Sequence, residues 1–354
     1  MRRKILTAAA CCVSVFLAAG CAKFDLTPLD PARAAEIERS SASASTHLTR
    51  ERENRILALN PEHVTESDVR NVLAGAPAPR IINIHGGIRN VQDRLKDFSK
   101  FLVGLGYPDD AIRLQSTGEY TISCYYDAEM FAGIIAWYYE REGMRPMILG
   151  HSQGGFQAIK TLQLLAGQTA DHLAVWSPLT WKPEERTEIT DPLTGKKRPL
   201  VGLSVSYIGS LGAGGLARVL PNQWDMLLTL RTVPDAVDEF TGYYLGFDAL
   251  GGDYLGFGSS NHFKSAGRAK VRNVELPLGS SHAHTPELTK VLGNRQAIDW
   301  IYRYSPSSQP AEPAGIGDVK GIVFGADVWK SVRRHWVIEL QRLIRARRSH
   351  VHGH

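Results

Sequence analysis

From about residue 80 to residue 178, short apolar runs alternate with amphipathic stretches, and this alternation constrains the fold more than any other feature of the chain. Ile81-Ile82-Asn83-Ile84, Ala111 to Gln115, Pro146-Met147-Ile148-Leu149 and Leu173-Ala174-Val175-Trp176 each have the length and apolar character of a buried strand. Between them, Asp93 to Leu105 sets Leu95, Phe98, Leu102 and Leu105 on one helical face. Ala128 to Glu142 does the same with Phe131, Ile134, Ile135 and Tyr138, and Gln153 to Ala166 with Phe156, Ile159, Leu162 and Leu165. Strands that alternate with helices at this spacing predict an α/β fold with a mostly parallel sheet covered by helices on both faces.

The alternation breaks after the strand expected near 173–176. Residues 179 to about 265 are Gly-rich and irregular, with Asp191-Pro192-Leu193-Thr194-Gly195 reading as a turn and Gln223 to Leu230 as a helix. A long insertion at this point in an α/β core is expected to form a cap or lid. Val271 to Leu276 predicts a late strand and Arg295 to Tyr304 a helix. Ser305-Pro306-Ser307-Ser308-Gln309-Pro310 reads as a linker, and a helix is expected from about Asp327 to Arg347. Its apolar stripe runs through Trp329, Val332, Trp336, Leu340 and Leu343, and its other residues include Lys330, Arg333, Arg334, Arg342, Arg345, Arg347 and Arg348. Core packing with a solvated basic face is the favoured reading of this helix, ahead of contact with anionic headgroups. The expected organisation is a signal segment over 1–20, a tether over 21–50, an α/β domain over 51–304 with its insertion at about 179–265, and a linker plus helix over 305–354.

Within the alternating region, Gly150-His151-Ser152-Gln153-Gly154 fits the pattern G-x-S-x-G. Five residues alone carry little information. Here the pattern follows an apolar strand and opens an amphipathic helix, the setting in which a serine is held at a sharp strand-to-helix turn. Glycines on either side remove side chains that would collide at such a turn, and the helix N-terminus adds positive partial charge beside the hydroxyl. Upstream, Ile84-His85-Gly86-Gly87 ends another strand. The two motifs, in this order and with this spacing, resemble the α/β-hydrolase family of lipases and esterases. The resemblance implies an α/β-hydrolase fold in which Ser152 is the nucleophile. It also implies that backbone N–H groups of Gly86 or Gly87 and of Gln153 hold the oxyanion.

In that family the nucleophile is followed in the chain by an acid and then by a histidine past the last strand. The Val271–Leu276 strand is followed by Gly279-Ser280-Ser281-His282, so His282 is the expected general base, with His284 as the alternative. Tyr243-Tyr244-Leu245-Gly246-Phe247 reads as the preceding strand with Asp248 at its end, which makes Asp248 the expected acid. Asp253 and then Asp235 are the alternatives, although a proline before Asp235 also suits the start of a helix.

The first residues read as an address. Met1-Arg2-Arg3-Lys4 is basic, Ile5 to Ala19 is a short apolar stretch, and Leu17-Ala18-Ala19-Gly20-Cys21 closes it. This is similar to the lipobox of bacterial lipoproteins, with Ala18 and not Leu three residues before the cysteine. The resemblance implies cleavage before Cys21, acylation of Cys21 and anchoring in a membrane, and Ala22 after it implies the outer membrane, facing the periplasm. Removal of the segment takes Lys+Arg from 41 to 38 against 36 acidic residues, so a formal charge of +5 becomes +2. The basic balance therefore belongs mostly to the address and makes no case for a nucleic-acid partner. Cys11 and Cys12 lie in the apolar stretch, which leaves Cys124 alone and without a disulfide partner, expected as a buried small hydrophobe.

No stretch has the spacing of a metal site or of a phosphate-binding loop, so neither metal nor cofactor is expected. His350, His352 and His354 read as a frayed tail. The expected activity is hydrolysis of carboxylic esters, with an ester or lipid as substrate and the membrane as the other partner. Acyl transfer by the same residues, or a binding role on a retained fold, are the alternatives.

Overall fold

The computed structural model describes residues 26–44, 48–87, 89–170, 172–213, 228–246, 261–277, 288–311, 313–316 and 321–351. Its centre is a six-stranded parallel sheet with strands β1 (Ile81–His85), β2 (Ile122–Ser123), β3 (Met147–His151), β4 (Val205–Leu211), β5 (Val237–Leu245) and β6 (Lys270–Leu276). Their order across the sheet is β2-β1-β3-β4-β5-β6. The register aligns Ile84 with Gly150, His151 with Leu211, Leu211 with Tyr243, and Leu245 with Leu276. All the strands therefore deliver the chain to the same edge.

Alternate residues of each strand feed two separate cores, as the two-residue period of a strand requires. Met147, Leu149, Tyr207, Leu211, Tyr243 and Val274 face one side. There they meet helices α2 (Arg50–Leu57), α3 (Arg89–Gly104), α6 (Arg295–Arg303) and α7 (Ile322–Val351). Ile82, Ile84, Ile148, Ile208 and Phe240 face the other, where α1 (Pro31–Ala44), α4 (Ala128–Glu142) and α5 (Gln153–Leu165) cover them. The product is a three-layer α/β/α architecture.

Several expectations are corrected. The apolar run Ala111 to Gln115 is buried in part but is not a strand. Its backbone closes a turn, with Arg113 N–H bonded to Asp109 and Leu114 N–H to Glu119. The side chains of Arg113 and Tyr120 both fasten to Asp109, at 2.6 Å each. The sheet strand is instead the two residues Ile122–Ser123.

Leu173 and Val175 are likewise buried, but Trp176–Ser177 pairs antiparallel with Lys182–Pro183, outside the central sheet. The strand that follows β3 in the sheet is β4, which lies inside the stretch expected to be an insertion, as does β5. Residues 179–265 thus contain two strands of the central sheet. The Asp191 turn is present: its carboxylate accepts the Leu193 and Thr194 amides between Glu188–Thr190 and Lys197–Pro199. Of the helix expected over 223–230, only 228–230 lie among the described residues, and these form a turn.

The stretch expected as a tether contains α1, whose Ala34 is 5% exposed and whose Ile37 packs on the α4 face. The late helix begins earlier than expected, at Ile322, and belongs to the core. Trp329, Trp336 and Leu340 are fully buried, and so are Asp327 and Glu339. Asp327 accepts hydrogen bonds from Tyr243 at 2.6 Å, Arg272 at 2.7 Å and Tyr304 at 3.1 Å. Glu239 of β5 meets Ser331 at 2.9 Å, Arg334 at 3.1 Å and His335 at 3.2 Å. Glu339 holds Arg145, which also reaches Asp238. Most of the basic residues of α7 are therefore paired with acids or carbonyls of the body: Arg334 with Glu62 and Arg348 with Glu53 make further pairs. None of the described helices is long and apolar enough to cross a membrane.

Candidate active site

The turn from β3 into α5 carries Ser152 at φ 56° and ψ −124°. This is a left-handed φ on a residue with a Cβ, a conformation that L-residues rarely hold and that costs of order 1–3 kcal/mol. Packing on both sides fixes it. The Ser152 N–H donates to Leu211 at 2.7 Å, continuing the β3–β4 ladder one step past the strand. The Gly155 N–H closes on the Ser152 carbonyl at 3.0 Å and starts the helix. The flanking glycines make the turn possible. A Cβ on Gly150 would lie 2.7 Å from the carbonyl carbon of Gly154, and one on Gly154 would strike the Ile84 carbonyl. The chain folds back so tightly that neither position has room for a methyl group.

The loop after β1 passes directly beside this turn. A Cβ on Gly86 would lie 3.1 Å from the His151 carbonyl and 3.2 Å from Ser152 Oγ, so the Gly86 backbone borders the hydroxyl. A Cβ on Gly87 would strike the Tyr125 hydroxyl. His85 Nδ1 is 2.8 Å from the Gly86 carbonyl oxygen. A carbonyl only accepts, so Nδ1 carries the proton in this contact. Burial pushes the His85 pKa down, against the smaller upward pull of that bond, which favours a neutral ring that pins the Gly86 peptide.

Gln153 is the first residue of α5, where a helix has no internal acceptor for the N–H. Its side chain is buried and its Oε1 accepts from Cys124 Sγ at 3.5 Å. Cys124 is a buried thiol outside any disulfide, as expected. Its position directly against the residue that follows Ser152 was not visible in the sequence. Tyr125 and Tyr126, which follow it, are half-buried at the same edge. The structure thus brings together Ser152, Gln153, Gly86 and Gly87, from two motifs separated by more than sixty residues.

Asp235 does not belong to this group. It lies two residues before β5, at the opposite end of the sheet, roughly 25 Å along the strand from the level of Ser152. Its carboxylate accepts the Ala269 amide at 3.0 Å and the Arg268 amide. The Ala269 bond and then the Arg268 contacts hold its pKa below the usual carboxylate range. It therefore works as a clip between the entries of β5 and β6. Asp248, Asp253, His282 and His284 lie outside the described residues, as does Cys21. The strands that lead to them do not: β5 ends at Leu245 and β6 at Leu276, paired in register and both leaving the sheet at the edge that holds Ser152.

Among the described residues no group of His, Cys, Asp and Glu has the geometry of a metal site. What the arrangement offers is a hydroxyl on a strained turn at a helix N-terminus, bordered by a second backbone segment whose glycines allow close approach. No family model matches the chain, and no curated protein matches it by sequence.

Proposed function

We propose that the chain is a serine hydrolase of carboxylic esters, built on an α/β-hydrolase fold and anchored to the bacterial envelope through a lipid on Cys21. The observation that carries the reading is the backbone of Ser152, held at φ 56° between β3 and α5 with Gly86 against it. A strained serine costs stability, and its presence beside a loop of glycines is accounted for by a hydroxyl that attacks carbonyl carbon.

In this reading Ser152 Oγ attacks the ester carbonyl and hands its proton to His282, which returns it to the departing alcohol. Asp248 keeps the imidazole in the required tautomer. The tetrahedral oxygen is received by the N–H of Gln153 and an N–H of the Gly86–Gly87 loop, which are worth most when aimed before the charge develops. Water, activated by His282, then releases the acid from the acyl-enzyme. The parallel exit of β5 and β6 supports Asp248 and His282 as partners of Ser152, since both follow those exits within a few residues.

The test is labelling by a fluorophosphonate probe, together with turnover of short-chain p-nitrophenyl esters. The wild-type chain is expected to label and turn over, and Ser152→Ala to do neither while keeping its fold. A wild-type protein that is folded yet unlabelled and inert would discard the catalytic reading. Cys21→Ser is expected to abolish detergent-phase partitioning of the processed protein; unchanged partitioning with normal processing would discard the anchor.

A further inference from the structure

The described chain enters the fold at the Ser152 edge of the sheet. The Leu26 N–H donates to the Tyr126 hydroxyl at 3.3 Å, and the Leu29 N–H to the Leu179 carbonyl at 2.9 Å. Both leucines are half-buried against the core of the α4 face. From there α1 runs beside α4 in the same direction. Tyr126 stands just before the start of α4, whereas Glu38 of α1 pairs with Arg141 in its last turn, at 3.7 Å. Leu26 therefore lies at the start of α4, where β2 has just left the sheet, and Ala44 at the far end.

That start is bound to the candidate site by direct contacts. The Tyr126 carbonyl accepts from the side chain of Gln157, which stands ~7.5 Å along α5 from Ser152. Its neighbour Tyr125 holds its hydroxyl against Gly87, and Gly86 borders Ser152 Oγ. Cys21 precedes Leu26 by five residues, which span at most ~18 Å even when fully extended. A lipid on Cys21 thus holds the Ser152 edge, and not the opposite edge, close to the membrane surface.

We propose that the substrates of Ser152 are acyl esters of lipids in the leaflet that carries the anchor, taken directly from the bilayer by a site mouth facing it. This rests on the reading of Ser152 as nucleophile and Cys21 as lipid site. In the reaction the acyl carbon–oxygen bond of the lipid breaks, and its acyl group passes to Ser152 Oγ. The deacylated lipid leaves with the serine proton, and water releases the fatty acid and restores the hydroxyl, with no change of oxidation state.

The experiment reconstitutes the full lipidated protein into phosphatidylethanolamine/phosphatidylglycerol vesicles carrying a trace of acyl-labelled phospholipid, and follows fatty acid release. It is compared with a variant in which a flexible Gly/Ser insert of about 40 residues, with a mean reach of roughly 35 Å, separates Ala22 from Lys23. The insert precedes every described residue and leaves the fold untouched. Release from vesicles is expected to fall by about tenfold or more in the insert variant, because the effective concentration of site at surface drops with tether length. Fluorophosphonate labelling and turnover of soluble p-nitrophenyl butyrate are expected to stay unchanged. Equal release by both proteins overturns the proposal, and so does a wild-type protein that turns over the soluble ester but releases nothing from vesicles; in either case the hydrolase reading survives. Absence of labelling and of soluble turnover in the wild type removes the hydrolase reading itself, and the proposal with it.

Discussion

Gly86 stands against Ser152 so closely that a Cβ on the glycine would lie 2.7 Å from the serine Cβ. Contact between real Cβ atoms does not reach that distance, so the loop after β1 keeps its course only because position 86 has no side chain. Gly86→Ala is expected to push the loop off the serine and carry its N–H groups out of line. Loss of one oxyanion donor lowers kcat by ~10²- to 10³-fold. Steady-state ester hydrolysis beside a thermal melt checks this, and an active, normally stable Gly86→Ala protein would show that the loop has no part in the chemistry.

The backbone strain at Ser152 has its own signature. Glycine adopts a left-handed φ freely whereas alanine does not, so Ser152→Gly and Ser152→Ala should both be inert yet differ in stability. Relief of about 1 kcal/mol raises Tm by roughly 2 °C in a domain of this size. Calorimetry of the two variants is the measurement. A less stable glycine variant would mean that the turn is not strained.

In the proposed reading the acid follows the exit of β5 at the Ser152 edge, which sets Asp235, at the opposite end of the strand, apart from Asp248 and Asp253. Asp248→Asn is expected to reduce kcat by up to ~10⁴-fold, the effect of favouring the wrong histidine tautomer in the serine protease precedent. Asp253→Asn should leave most activity. Asp235→Asn should be fully active but less stable, since it weakens the clip onto the Arg268 and Ala269 amides. Collapse of kcat in Asp253→Asn with Asp248→Asn active would reassign the acid.

Glu239 links stability to pH. Burial alone would raise its pKa, but the His335 hydrogen bond, the His335 and Arg272 charges and the Ser331 bond outweigh burial and hold it at about 2, below its ordinary 4.5. A depressed carboxylate pKa contributes stability above its unfolded value and loses that contribution as the pH falls through the folded one. The window is therefore pH 4.5 down to about 2. Chemical denaturation across this range is expected to show an acid-dependent loss on the order of 3 kcal/mol that is largely absent in Glu239→Gln. A variant with the same acid slope as the wild type would place the titration elsewhere.

Periodicity alone revealed β1, β3, α4 and α5, because there the apolar pattern and the element coincide. It missed β4, whose Val205-Ser206-Tyr207-Ile208-Gly209-Ser210-Leu211 mixes serines and a glycine into a strand buried at every position. Ser206 is accepted there because its hydroxyl donates to the Arg145 carbonyl at 3.1 Å. An alternation of Val205, Tyr207 and Leu211, interrupted by Gly209, was the available signal. Conversely, Ala111 to Gln115 had the composition of a strand but is tied into a turn by Asp109, a local side-chain choice that composition does not encode. At the site, Ser152 and the glycines were legible because their motif implies a backbone shape. Cys124 and Tyr125 were not, since only the packing of β2 beside β1 brings them to Gln153 and Gly87.

The placement of α7 bears on how the chain is made. Every strand of the sheet is synthesised before Ile322, yet α7 supplies the buried carboxylates that Tyr243, Arg272 and Arg145 require and covers much of one apolar face. A nascent chain that has emerged only as far as β6 therefore exposes that face, with Tyr243 lacking Asp327 and with Arg272 and Arg145 reduced to Glu239 and Asp238. Closure of the fold waits for the last helix, and a chain cut before Ile322 is expected not to close its core.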